Sequence, residues 1–247
     1  MPDVLSAREL VATYRRDGFA HVDRLVGPDV VNTLRAAYDR VLDTDAGDQR
    51  LLGNVTRQVM MPSLKHPMFD RNEALDAAMA IARDVLRTDV IDRTFDMLIY
   101  KPAGHPHSTP WHQDGAYAAT PFAAAGQSFS CETLQFWIAL DDADEENGCM
   151  HFVPAQQERP LLPHRVASGD PHSENRLLAL VDPERDLDLT RATPVPLPAG
   201  GATFHGFLTP HYTSPNRSSD RPRRAYIVNV GPPDASNIIT RETGAAT

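Results

Sequence analysis

Hydrophobic and polar positions divide the chain into two stretches with different periods. In the first, apolar residues recur every three to four positions, the spacing that gives a helix one buried face. Between residues 7 and 18, Leu10, Val11 and Tyr14 share a side, and Gly18 supplies a stop. A short apolar stretch follows at 19–26. The spacing then predicts a second helix over 27–42, with Pro28 near its start and Val31, Leu34, Ala37, Tyr38 and Leu42 on one face. Residues 43–70 are mixed and polar and read as a lid or loop region. A third helix is predicted over 71–86.

From about residue 90 the pattern shortens. Apolar segments at 94–100, 133–142, 149–153, 202–207 and 225–230 alternate with connections rich in Pro, Gly, Asn and Asp. Short strands at this spacing predict an all-β sandwich or barrel rather than βαβ units. The expected architecture is mainly β with flanking helices, in one domain over 1–247: a helical part at about 1–90 and a β core at about 90–235. Residues 155–200 look irregular and read as an insertion near the mouth of a site. The tail after Ser236 reads as frayed.

Composition narrows the function. A chain of 247 residues has ample length for a core, and 41% apolar with 23% charged residues is ordinary for a globular protein. The net charge of −9 argues against nucleic acid or an anionic membrane as partner. No apolar run reaches the roughly 20 residues that span a bilayer, and the first residues do not read as a signal peptide. Two cysteines, Cys131 and Cys149, form no CxxC pair. A cytoplasmic protein with reduced thiols is expected, a monomer or homodimer acting on a small molecule.

The chemistry concentrates at His112-Gln113-Asp114. On an extended strand, residues i and i+2 point to one side, so His112 and Asp114 can reach one ion. Two histidines and one carboxylate with an open opposite face is the arrangement of non-haem iron(II) oxygenases. His-x-Asp alone is a weak signal. Downstream, His211 is followed twelve residues later by Arg223. A 2-oxo diacid chelating iron needs a buried cation for its distal carboxylate, best a guanidinium.

Four blocks together resemble the phytanoyl-CoA dioxygenase (PhyH-like) family of Fe(II)/2-oxoglutarate enzymes: RRDGFAHVDRLVGPDVVNTLR, YKPAGHPHSTPWHQDGAY, WIALDDADEENGCMHFVP and HYTSPNRSSDRPRRA. They run in the family's order over nearly the whole chain. The resemblance implies a double-stranded β-helix (jelly-roll, cupin-like) core with the N-terminal helices packed outside. It implies iron ligands at His112, Asp114 and His211, and 2-oxoglutarate contacts at Arg223, Thr213, Trp137 and Met97, with a further polar contact at Arg57 or Gln58. The family's PGSH is PAQQ here, Pro154 to Gln157, which bears on substrate contacts rather than on metal. The implied activity is oxidation of a C–H bond in a small organic molecule, in secondary metabolism, releasing succinate and CO2. Hydroxylation, epimerisation, desaturation and cyclisation all stay open, although a carboxylate at Asp114 argues against a halogenase. Two rivals are a non-catalytic cupin-like binding protein and a cupin-type zinc hydrolase or isomerase.

Other residues compete for these roles. His105 and His107 read as solvated loop histidines and His205 as a non-ligand. His151 is a packing residue or points into the barrel. Arg224 falls on the face opposite Arg223, and Arg221, ahead of Pro222, reads as solvent-facing. The acidic run at 141–148 reads as a turn, and Cys149 as a small core residue.

Overall fold

The computed structural model describes residues 6–44, 49–52, 56–118, 133–154, 160–169 and 177–233. Helix α1 (Ala7–Asp17) opens on a capping box: the Ser6 side chain accepts from the Glu9 N–H, and Glu9 Oε2 accepts from the Ser6 N–H. It closes at Gly18, whose φ of 81° is the left-handed turn expected of a glycine stop. The apolar stretch after it is strand β1 (Phe19–Val22), and α2 spans Pro28–Thr44.

The segment read as a lid or loop instead contains strands β2 (Gln49–Leu52) and β3 (Thr56–Met60), a 3-10 turn at Pro62–Leu64 and the single-turn α3 (Pro67–Asp70). Strands of four and five residues are too short for an alternating pattern to stand out from a polar loop. The third helix, α4, covers Glu73–Leu86, two residues shorter than expected. Asn72 is its N-cap, with Oδ1 accepting from the Leu75 N–H at 2.9 Å.

Strand β4 (Asp92–Lys101) leads to β5 (Thr109–His112) and the short α5 (Gly115–Ala118). Then come β6 (Leu134–Ala139) and β7 (Met150–Phe152). The region read as an irregular insertion holds β8 (His164–Val166), β9 (Leu178–Leu180), α6 (Pro183–Asp186), a 3-10 turn and β10 (Thr193–Val195). Strands β11 (Ala202–Gly206), β12 (His211–Thr213) and β13 (Arg223–Gly231) follow. Cys131, Ala155 to Gln157 and the tail after Ser236 lie outside the described residues.

Two antiparallel sheets face each other as a jelly roll. The larger has the order β1-β11-β6-β13-β4-β3-β2 and the smaller β10-β7-β12-β5. Strand β10 pairs with β7, so part of the supposed insertion belongs to the second sheet. The large sheet has two sharply different faces. Alternate residues Phe136, Ile138, Tyr226, Val228, Leu98 and Phe204 join Leu34, Tyr38, Leu75 and Ala78 of the helices in one core cluster. The intervening residues Trp137, Ala139, Ala225 and Ile227 pack inward against Met150, Phe152 and Val195 of the small sheet. The period of two thus directs one set of side chains to the helices and the other to the space between the sheets.

Candidate metal centre

His112 ends β5 and His211 begins β12, and the two are directly opposite in the register of the small sheet. Asp114 lies two residues beyond His112. Asp114 Oδ1 is 3.6 Å from His112 Nε2 and 3.6 Å from His211 Nε2. Among the described residues this trio is the group of histidine, cysteine and acidic side chains whose donor atoms converge, all within 4.8 Å of one another.

The surroundings fix which atoms face the centre. His112 Nδ1 donates to the Pro110 carbonyl at 2.8 Å and His211 Nδ1 to the Thr209 carbonyl at 3.0 Å. Each bond selects the Nδ1–H tautomer and leaves Nε2 with a free lone pair, the form a metal requires. The other oxygen of Asp114 is held from the large sheet: Gln135 Nε2 donates to Oδ2 at 2.6 Å and His205 Nε2 lies 3.1 Å from it. One carboxylate oxygen is therefore engaged and the other is free to ligate.

Burial alone would raise the Asp114 pKa, but the neighbouring His211, His112 and His205 outweigh it and hold the carboxyl well below its usual range. Burial, reinforced by His112, pushes His211 far down, so it stays neutral. A neutral imidazole pair with one ionised carboxylate fits a divalent ion with open coordination positions.

A second feature lies further along the same face. Arg223 is 1% exposed, and its Nε and Nη1 have no hydrogen-bond partner among the described residues. Burial draws its guanidinium down to about 10, against the opposing influence of Tyr38. Its guanidinium carbon sits 5.2 Å from the centre of the Trp137 ring. Unpaired guanidinium donors in a dry setting are costly, and a carboxylate would satisfy two of them together. The donor set therefore fits a 2-oxo diacid.

The structure brings the remaining predicted residues to this face. Thr213 Oγ1 is buried and accepts from Lys101 Nζ at 2.8 Å. Met97 is the register partner of Ile227 and packs with Trp137 in the inner cluster. Gln58 pairs with Ile99 and shares its inner face, whereas Arg57 pairs with Tyr100 on the other side and is exposed. The parity of β3 thus separates Gln58 from Arg57.

Several expectations change. His105 is buried, 1% exposed, with Nδ1 accepting from the His107 N–H, because the Pro/Gly loop folds back over it. His151 lies on the outer face of the small sheet, edge-on to Tyr212, and does not enter the barrel. Arg221 is paired with Asp144 and Glu146 rather than simply solvated. Arg224 does lie on the opposite face from Arg223, bonded to Asp141 and Asp39. The 141–148 run is a turn closed by reciprocal Asp144 and Asn147 bonds, and Cys149 is a buried thiol pushed up to about 12 by burial.

Four neighbours of the site escape sequence reading. Gln135 and His205 reach Asp114 only through the register of β6 and β11. Lys101 sits in the YKP block, but nothing local distinguishes it from a solvated lysine. Gln113, between two ligands, is fully buried and bonds the backbones of Leu162, Leu208 and Pro160, while its N–H donates to His164 Nε2. The bonds to Pro160, Leu162 and His164 anchor that segment onto the strand that carries His112.

Comparison with known proteins agrees with this geometry. The chain is 26% identical over 188 residues to a probable alpha-ketoglutarate-dependent hypophosphite dioxygenase of Stutzerimonas stutzeri, covering 74% of this chain and 60% of that one. It is 28% identical over 135 residues to phytanoyl-CoA dioxygenase domain-containing protein 1 of Danio rerio, covering 54% and 43%. The matches thus span less than two thirds of these relatives. EvdO2 of Micromonospora carbonacea var. aurantiaca, crystallised with 2-oxoglutarate, superposes with a TM-score of 0.77 at 29% identity, covering 92% of this chain and 91% of that one. No helix among the described residues is long and apolar enough to cross a membrane. The family model described as "Phytanoyl-CoA dioxygenase (PhyH)" matches residues 14–225, so this chain belongs to the phytanoyl-CoA dioxygenase family.

Proposed function

We propose that this protein is an Fe(II)/2-oxoglutarate-dependent oxygenase of secondary metabolism that oxidises a C–H bond of a small, neutral organic molecule. The observation that carries the reading is the pairing of a convergent His112–Asp114–His211 donor set with the unpartnered donors of buried Arg223. His112, Asp114 and His211 would hold the iron. Arg223 and Thr213 would hold the distal carboxylate of 2-oxoglutarate, with Trp137 and Met97 walling its path. When bound, iron and 2-oxoglutarate would supply the chemistry that activates dioxygen, one oxygen atom passing into succinate as CO2 is lost and the other oxidising the substrate. The chain's own residues orient the reactants and keep water out.

The substrate side is argued from the same sheet. Register places His205, Gln135, Asn229 and Phe95 side by side on the inner face. At Asn229 the pairing with β4 shifts, leaving Thr94 as an extra residue between Phe95 and Arg93. Such bulges re-aim side chains beside active sites. Asn229 is 5% exposed and its Oδ1 has no partner among the described residues. Beyond His205, which faces Asp114, this row carries two amides and an aromatic ring but no lysine or arginine. A substrate with hydroxyl or amide groups suits it better than an anionic one.

Anaerobic addition of Fe(II) and 2-oxoglutarate should produce a weak visible charge-transfer band that His112→Ala abolishes. A band retained in His112→Ala would refute the ligand assignment. Succinate release, screened with neutral polyols and glycosides against methylphosphonate, hypophosphite and acyl-CoA thioesters, tests the substrate class. Turnover of an anionic compound would overturn the neutral-substrate reading and leave the cofactors intact.

A further inference from the structure

Lys101 ends β4 directly opposite Arg223 in the register of β13. It is 0% exposed. Its Nζ makes two hydrogen bonds, to Thr213 Oγ1 and to the Ser214 carbonyl, both at 2.8 Å. Two donors are what a neutral amine possesses; an ammonium has a third that needs an acceptor. Above the Ser214 carbonyl the chain closes at Gly148, where a Cβ would lie 2.8 Å from that oxygen, so the cover over Lys101 is tight.

The charges facing Lys101 are all of one sign or neutral. From β13 comes Arg223; from the loop after β4 comes His105, itself lowered to about 4 by burial and by Lys101. From β12 come the uncharged Thr213 and Ser214, and the Asn216 amide bonds the Lys101 carbonyl. The nearby acidic side chains Asp144 and Glu146 are engaged by Arg221. Burial and then Arg223 depress the Lys101 ammonium, with no acidic group offsetting them. Two adjacent buried cations without an anion would be a large electrostatic penalty.

We propose that Lys101 is a positioning residue for the co-substrate: it stands as a neutral amine in the free enzyme and takes up one proton from solvent as a dicarboxylate docks. This rests on the 2-oxoglutarate reading and extends it. Lys101 donates to Thr213 Oγ1, so the Thr213 hydroxyl keeps its own proton for an incoming carboxylate. The arriving negative charge stabilises the ammonium, and the third N–H gains its acceptor. Because binding raises the lysine pKa, affinity is constant below the free-enzyme value. Above it, affinity falls by about tenfold per pH unit until the bound-state value is reached. The design would also favour 2-oxo diacids over 2-oxo monoacids.

The test is calorimetric. Protein saturated with Mn(II) under argon, so that proton release by the metal ligands is already complete, is titrated with 2-oxoglutarate in buffers of different ionisation enthalpy. The observed enthalpy should rise with buffer enthalpy with a slope near one proton taken up. The same titration with 2-oxopentanoate, which has the same chain but no distal carboxylate, should give a slope near zero. Lys101→Gln offers two donors to Thr213 and Ser214 but cannot become charged. It should still bind Mn(II), bind 2-oxoglutarate at least tenfold more weakly, and show no proton uptake. His105→Asn should leave the slope unchanged. A wild-type slope of zero, or a slope surviving in Lys101→Gln, overturns the proposal. Complete absence of 2-oxoglutarate binding overturns instead the co-substrate reading beneath it.

Discussion

The two faces of the large sheet are made by the same strands and follow opposite rules. Toward the helices, Phe136, Tyr226, Val228 and Phe204 are buried among apolar neighbours. Toward the small sheet, buried polar groups such as Gln135, Thr203, His205, Arg223 and Asn229 stand among the apolar Trp137, Ala139, Ala225 and Ile227, and several have an atom without a partner among the described residues. Of the six buried side-chain polar atoms without a hydrogen bond among the described residues, five belong to Thr203, His205, Arg223 and Asn229 on the inner face. Unpartnered buried polar atoms cost stability wherever they occur. Their concentration on one face indicates that stability is supplied by the outer face and that the inner face is shaped for what binds there. The comparison teaches that substitutions on adjacent residues of one strand should separate folding from function.

The largest effect is expected on the inner side. Asp114→Ala removes the carboxylate on which both metal-facing histidines and two large-sheet donors converge. Loss of the iron/2-oxoglutarate band and of succinate formation is expected, with the melting temperature of the metal-free protein little lowered. A variant that unfolds would show that the site also supports the fold and would blur the division between faces.

Next in size is the outer-face counterpart. Phe136 is 0% exposed and stacks on Phe204 with ring centroids 5.2 Å apart. Phe136→Ala should destabilise the protein by about 3–5 kcal/mol, measured by denaturant unfolding. Its neighbour in sequence, Gln135, points the other way and donates to Asp114. Gln135→Leu should weaken metal affinity by about 10–100-fold with little change in unfolding free energy. If the two variants instead lost stability and metal affinity together, the faces would be coupled, and the separation argued here would fail.

These contrasts also explain how much the sequence disclosed. The helices were legible because Leu10, Tyr14, Val31, Leu34 and Tyr38 repeat with a helical period. The central strands were legible because both their faces are buried. The convergence of His112, Asp114 and His211 and the burial of Arg223 were foreshadowed by short motifs in a fixed order. What escaped depends on partners distant in the chain. Gln135 lies 21 residues from Asp114 and His205 lies 91, and only strand pairing joins them. Lys101 and His105 look solvated locally and become buried when the 209–218 segment closes over them, as the bonds of Thr213 and Asn216 show. Strands β2, β3 and β10 were missed because strands of three to five residues are too short for their alternation to stand out from loops.

The smallest expected effect is the most discriminating, because its sign differs between the two faces. A buried polar residue that serves the fold is destabilising to remove, whereas one kept for a ligand is a burden on the ligand-free protein. Asn229 sits in β13 between Val228, which faces the helices, and Val230. Its side-chain Oδ1 is buried without a partner among the described residues. Asn229→Val removes that atom, suits the strand and should raise the stability of the metal-free protein by about 1 kcal/mol, seen as a higher melting temperature. The iron/2-oxoglutarate band should be unchanged, since Asn229 belongs to the row of Gln135 and Phe95 rather than that of Arg223. A lower melting temperature would mean that the amide is engaged in the fold, and would remove the argument that this row is where a neutral substrate is read.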